Sequence, residues 1–296
     1  MPELPEVETI RRQLAPHVEA KRLREVEIRD PRWTQPLAAD QLANAVSARR
    51  LDKLSRRGKY LIWEFGGDVF LLVHLRMTGT LLLDPAGEVA HTRVVFHFDD
   101  GRRVAFVDPR RFGTGELAVG TAARDEFLDR RLGVEPFDEA FTTEHMRTLA
   151  RGSRTPIKAF LLDQRKLAGV GNIYADEALF RARVHPLREA GRLDARQWAA
   201  LRDGILTVLQ AGLDAKGASI DDFRHPDGVR GGFQNEFSVH RCEGLPCPAC
   251  GSPVRKLRAA GRGTYVCERC QIKPRQRRQA VTRSSSLPSR SATLSS

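Results

Sequence analysis

The chain lacks any apolar run of the roughly 18 residues from which a membrane-crossing helix is read, and so gives no sign of spanning a membrane. Its start, Met1-Pro2-Glu3-Leu4-Pro5-Glu6-Val7-Glu8, is acidic where a secretory signal would be basic and then apolar. Together these absences lead us to expect a cytoplasmic protein. Internal repeats are missing too, which argues against solenoids and propellers. Cysteine is scarce, with five in 296 residues and four of them crowded between 247 and 270, so a disulfide-built secreted scaffold is not expected. Acid is nearly absent from the last stretch. Residues 251 to 296 hold eleven Lys or Arg against one acid, Glu268, so they carry +10 of the formal charge of +12. A polyanionic partner is implied, although a solvated basic tail explains residues 273 to 296 equally well when they are taken alone.

What is present separates into parts. At 296 residues and 41% hydrophobic composition, two domains with real cores are expected. Val7, Ile10, Leu14 and Val18 recur at helical spacing, which predicts an amphipathic helix over 5 to 18. The period then changes to two, and residues 23–29, 59–65, 70–76, 94–98 and 104–107 read as strands of a β-sandwich or barrel. From about 125 to 218 the helical period returns, clearest in Trp198, Leu201, Ile205, Val208 and Leu213. Residues 218–240, with Gly228, Gly231 and Gly232, read as a long loop, and Ser, Arg, Thr and Pro dominate the tail from Pro274.

Three groups of residues carry chemistry. Removal of Met1 would leave Pro2 with a nitrogen that is both a free α-amine and a secondary amine. Such an amine titrates near about 8, so it is partly neutral at physiological pH without a neighbouring base. Its condensation product with a sugar aldehyde carbon is an iminium with no N–H to lose, and therefore a good electron sink. Glu3 is placed to move a proton. The same residues also suit an ordinary helix start, with proline in the first turn and acids on the positive end of the dipole. Second, Cys247-x2-Cys250-x16-Cys267-x2-Cys270 has the spacing of a four-thiolate zinc ribbon. Two strands around 254–259 and 264–266 would place Arg262 at the hairpin tip, zinc would supply the folding energy of so small a unit, and Cys242 is a spare thiol. Third, Gly169-Val170-Gly171-Asn172-Ile173 offers a glycine turn with Asn172 as helix N-cap, a pattern that can cradle phosphate and is also common punctuation.

The chain resembles the bacterial formamidopyrimidine-DNA glycosylases over residues 1 to about 273. The motifs are Met1 to Glu8, Arg57-Gly58-Lys59-Tyr60-Leu61, His74-Leu75-Arg76-Met77, Asp108-Pro109-Arg110-Arg111-Phe112-Gly113, Gly169 to Tyr174 and the four-cysteine finger. The resemblance implies an α+β multidomain protein. Residues 1–122 would form an N-terminal β-sandwich with an N-terminal helix, 123–236 a helical helix-two-turn-helix domain and 237–273 a zinc-ribbon finger, while by composition 274–296 reads as a disordered basic tail that extends beyond the family's usual end. It implies a monomer, cytoplasmic and nucleoid-associated, that acts on double-stranded DNA containing oxidised bases and carries one structural zinc on Cys247, Cys250, Cys267 and Cys270. As catalytic residues it implies Pro2, Glu3, Lys59 and Arg262, Pro2 attacking the sugar and β- and δ-elimination following. Lys59, on the Leu61, Trp63 and Phe65 side of its strand, would cap an apolar face at the cleft rim. His74, His91, Arg110, Arg154 and Asn172 would contact DNA. Met77, Arg110 and Phe112 would fill the void left by a flipped base, and the Arg224 to Phe237 loop would close over that base. One departure from the family pattern is Val239-His240-Arg241-Cys242, where Tyr and Gly commonly follow the valine. Competing expectations are an endonuclease VIII-type glycosylase for oxidised pyrimidines and a non-catalytic damaged-DNA-binding protein.

Overall fold

Helix α1 (Leu4–Val18) opens the fold, and its apolar residues lie on two sides rather than one. Val7, Ile10, Leu14 and Val18 join the core of the β-rich half, whereas Leu4 belongs to the core of the helical half. The helix therefore bridges the two, and the start of the chain is caught between them. Its Glu8 is pinned as well. Burial alone would raise its carboxyl, but Arg11, Arg12 and Arg56 hold it down at about 2. The computed structural model of the protein describes residues 1–219, 226–228 and 230–274. The expected tail beyond Pro274, and residues 224, 225 and 229 of the expected lesion loop, lie outside the described residues.

The β-rich half contains β1 (Leu23–Ile28), α2 (Ala39–Val46), β2 (Leu51–Arg57), β3 (Tyr60–Phe65), β4 (Val69–His74), β5 (Thr80–Leu83), β6 (Thr92–Phe98), β7 (Arg103–Val107) and β8 (Thr114–Val119). Two antiparallel sheets, ordered β1-β6-β7-β5 and β2-β3-β4-β8, face each other across one core. Trp63 from one sheet stacks on Phe96 from the other at 4.7 Å. The second sheet is covered on its back by α3 (Thr121–Asp129), so Leu61 and Trp63 enter the sandwich while Tyr60 and Ile62 pack against Leu128 and Leu132. Burial on both faces is why β3 and β4 are almost wholly apolar, with Glu64 and His74 the exceptions.

The helical half continues with α4 (Thr143–Ala150), α5 (Ile157–Leu162), α6 (Asn172–Arg181) and α7 (Ala195–Asp214). Gly204 lets α7 approach the backbone of Ala178 in α6, where a Cβ would meet the Ala178 carbonyl oxygen at 3.0 Å. The chain ends in an antiparallel hairpin, β9 (Arg255–Ala259) and β10 (Arg262–Val266).

Candidate active site

The start of α1 meets the start of α6. Leu4 N–H donates to the Gly169 carbonyl at 3.0 Å, and the Ile173 N–H at the head of α6 donates to Glu3 Oε1 at 2.9 Å. Glu3 is almost fully buried, and its second oxygen, Oε2, has no hydrogen-bond partner among the described residues. One oxygen is thus anchored on a helix N-terminus, while the other is unpartnered among the described residues. Gly171 makes the approach possible, because a Cβ there would overlap the Glu3 carboxyl. Behind it, Glu6 accepts from the Glu3 N–H at 2.8 Å, from Tyr174 Oη at 2.8 Å and from the Ala218 N–H at 2.7 Å. Burial and the nearby Glu3 raise its carboxyl above the usual range, against these three donors. Pro2 is buried beside Glu3.

Lys59 sits in the turn before β3 rather than within a strand, and it is 3% exposed. Burial lowers its proton affinity, Glu3 acts against that shift, and Arg262 adds to it. Glu3, Lys59 and Arg262 therefore share one electrostatic neighbourhood. Lys59 also borders a cavity of about 350 Å³ together with Tyr60, His74, Arg76 and Arg131. His74 accepts the Arg76 N–H on Nδ1 at 2.9 Å, which leaves Nε2 as its donor, and burial pushes it down to about 3.

Two local expectations are corrected. The N-cap of α6 is Gly171, and Asn172 is the first helical residue, with Nδ2 donating to the Gly263 carbonyl at 3.2 Å. The amide at position 173 is occupied by Glu3 rather than open to phosphate. Arg262 is the first residue of β10, opposite Ala259; the tip is Ala260-Gly261, both with positive φ, the two-residue turn that matches strand twist.

The void-filling candidates are assembled by a residue that sequence reasoning did not single out. Asp108 is fully buried. Its Oδ1 accepts from Thr78 Oγ1 and from the Arg110 N–H, and its Oδ2 from the Phe112 and Gly113 N–H groups, both at 2.8 Å. The loop after β7 is thereby tied to the segment that carries Met77. Phe112 is half exposed, and the Arg110 guanidinium lies 4.8 Å from its ring centroid. An aspartate followed by proline and several free amides was the available signal. His91 and Arg154 are exposed, and the His91 carbonyl accepts the Asp108 N–H at 3.1 Å, which ties its backbone to this cluster.

At the far end, the Sγ atoms of Cys247, Cys250, Cys267 and Cys270 lie within 4.8 Å of one another. The pairs at 3.5 and 3.9 Å are too long for a disulfide bond of about 2.05 Å and close to the ~3.8 Å edge of a tetrahedron with Zn–S of about 2.3 Å. The donor set fits one structural zinc ion. Cys242 lies outside it, its Sγ 3.4 Å from the His240 carbonyl.

Family models match in the same order: formamidopyrimidine-DNA glycosylase N-terminal domain over 1–115, the H2TH domain over 132–224, and the zinc finger found in FPG and IleRS over 244–272. A formamidopyrimidine-DNA glycosylase of Heliobacterium modesticaldum is 45% identical, covering 92% of this chain and 100% of the relative. The chain belongs to the formamidopyrimidine-DNA glycosylase family. A glycosylase of Thermus thermophilus is 45% identical over 92% of this chain and 98% of its own. The crystal structure of MutM (Fpg) from the same species superposes with a TM-score of 0.84, covering 93% and 100% of the two chains at 43% identity. A Lactococcus lactis glycosylase variant in complex with Fapy-dG-containing DNA gives a TM-score of 0.86 at 37% identity, covering 92% and 100%.

Proposed function

We propose that this protein is a bifunctional DNA glycosylase and AP lyase of base excision repair that removes oxidised purines, 8-oxoguanine and formamidopyrimidines, from double-stranded DNA. The work divides among residues 1–122 for the chemistry, 123–236 and 237–273 for gripping DNA, and a basic tail from 274. The protein acts as a monomer in the cytoplasm, at the nucleoid.

Pro2, freed of Met1, attacks C1′ of the flipped nucleoside as the glycosidic bond breaks and the base departs. Glu3, anchored through Oε1, uses Oε2 for proton transfer at the sugar and leaving base. The sugar ring then opens, the C1′–O4′ bond breaking as O4′ takes a proton from Glu3, which leaves the iminium; this withdraws electrons as the C2′ proton leaves and the 3′ phosphate is expelled, and a second elimination releases the 5′ phosphate. Lys59, more easily deprotonated than a surface lysine, serves proton transfer and phosphate contact. Arg262 contacts phosphate and assists the second elimination. His74, His91, Arg154 and Asn172 hold phosphates, and Met77, Arg110 and Phe112 occupy the vacated stack, with the Arg110 fork able to pair the widowed base. Zinc, when bound, organises the finger and takes no part in the chemistry.

The observation that carries this reading is the seating of Glu3 on the head of α6, with one oxygen unpartnered, in the neighbourhood of Lys59 and Arg262 and beside Pro2. The test is borohydride trapping on an 8-oxoguanine duplex, with an oxidised-pyrimidine duplex alongside. A covalent adduct that forms on the purine lesion and is lost in Pro2→Gly supports the proposal. Trapping that persists when Met1 is retained makes a lysine the nucleophile and overturns it.

A further inference from the structure

The hairpin that carries Arg262 is held from inside the protein. Lys158, on α5, is fully buried and directs its ammonium to Asp176 Oδ1 at 2.7 Å, Thr264 Oγ1 at 2.8 Å and the Gly263 carbonyl at 3.2 Å. Gly263 follows Arg262 directly, and its carbonyl also accepts from Asn172 Nδ2. Asp176, on α6 one turn after Asn172, places its second oxygen 2.9 Å from His240 Nδ1. His240 precedes the finger; its own N–H and those of Ser238 and Val239 are taken by the Glu177 carboxylate. Its ring meets Phe237 and Tyr265 edge-on, at 5.3 and 5.1 Å.

A carboxylate with no exposed surface and only one oxygen engaged is free to turn about its last bond and keeps an unsatisfied acceptor. Donors on both oxygens remove that freedom. Proximity to a carboxylate places the ring proton on Nδ1, an assignment made from the network. We propose that His240 is a positioning residue: through Asp176 it fixes Lys158, and through Lys158 it sets how the Arg262 hairpin stands over the reacting sugar. It governs the partition between the first and second eliminations, not the attack by Pro2. This rests on the role given to Arg262 above, and it assigns a function to the position where the chain departs from its family's tyrosine.

The experiment uses full-length, zinc-loaded protein carrying His240→Phe or His240→Asn, with an abasic duplex as substrate. The ratio of β- to β,δ-elimination products, the borohydride trapping rate and the zinc content are measured. His240→Phe should keep zinc and trap within about twofold of the parent, while the β,δ fraction relative to β falls by about tenfold, the worth of one hydrogen bond to a charged group. His240→Asn, whose amide nitrogen can stand where Nδ1 was, should restore most of it. The proposal is overturned by a parental product ratio in His240→Phe, by equal loss in His240→Asn, or by loss of zinc and trapping in both variants. A parent protein that forms no adduct would bring down the functional reading as well, whereas a trapping parent with an unaltered ratio in His240→Phe sinks this proposal alone.

Discussion

Glu3 shows what one side chain contributes when its surroundings are fixed. Its Oε1 is held by a backbone amide and its Oε2 is not, so Glu3→Gln preserves the fold and should slow excision of 8-oxoguanine by about 10²- to 10⁴-fold in single-turnover assays. A loss smaller than threefold would remove Glu3 from the chemistry. Gly171→Ala tests the seat itself. The added methyl must displace the Glu3 carboxyl, so excision should fall while the unfolding midpoint stays close to the parent's. Inactivation accompanied by global destabilisation would mean that Gly171 serves packing instead. His74 makes a pH prediction. Burial, with Arg76 and Lys59 nearby, takes it from 6.5 to about 3, so between these values the unfolded chain binds a proton that the folded protein refuses. Stability is therefore lost as pH falls through that window and is unaffected above it. His74→Gln should flatten the fall in urea-unfolding free energy between about pH 6 and 4, and an unchanged slope would refute the assignment.

Among the elements, those with clean periodicity were legible and those bent around a neighbour were not. The α1 pattern gave the helix to within a residue at its start, and the both-faces-buried strands β3 and β4 stood out by their apolar content. Strand β2 escaped because a register shift between Leu51 and Lys53 puts its buried residues, Leu51 and Leu54, three apart instead of two. Strand β8 carries Gly115, where any Cβ would strike the Trp33 ring, so a residue that reads as a break is a packing requirement. The short β5 and α2 had too few residues to establish a period. The loop after β7 depends on Asp108, whose carboxylate satisfies three backbone amides and the Thr78 hydroxyl. Asp108→Ala should cost about 1–3 kcal/mol in stability and weaken binding to lesion duplex, read by urea titration and fluorescence anisotropy. Unaltered affinity would separate this loop from DNA recognition.

For the molecule as a whole, the helical half joins the finger to the start of the chain, since Lys158 and Asn172 hold the hairpin while Gly169 and Ile173 hold the chain start. Chelating zinc should unfold the finger, withdraw Arg262 and abolish strand cutting, while aromatic circular dichroism from the Trp63–Phe96 core persists. The basic tail belongs to the same scale. Deleting residues 275–296 removes five arginines, and each one that touches phosphate should flatten the slope of log K against log salt by about 0.9. The four zinc cysteines, the Pro2-Glu3 start and the order of sandwich, helices and finger were determined by sequence, because each is written in short spacings along the chain. The partners of Glu3, the burial of Lys59, the loop-tying by Asp108 and the Lys158-Asp176-His240 network were decided only in three dimensions. Glu3 meets Ile173 across 170 positions and Lys158 meets Thr264 across 106, separations at which local pattern carries no information and only the packing of elements chooses the neighbour.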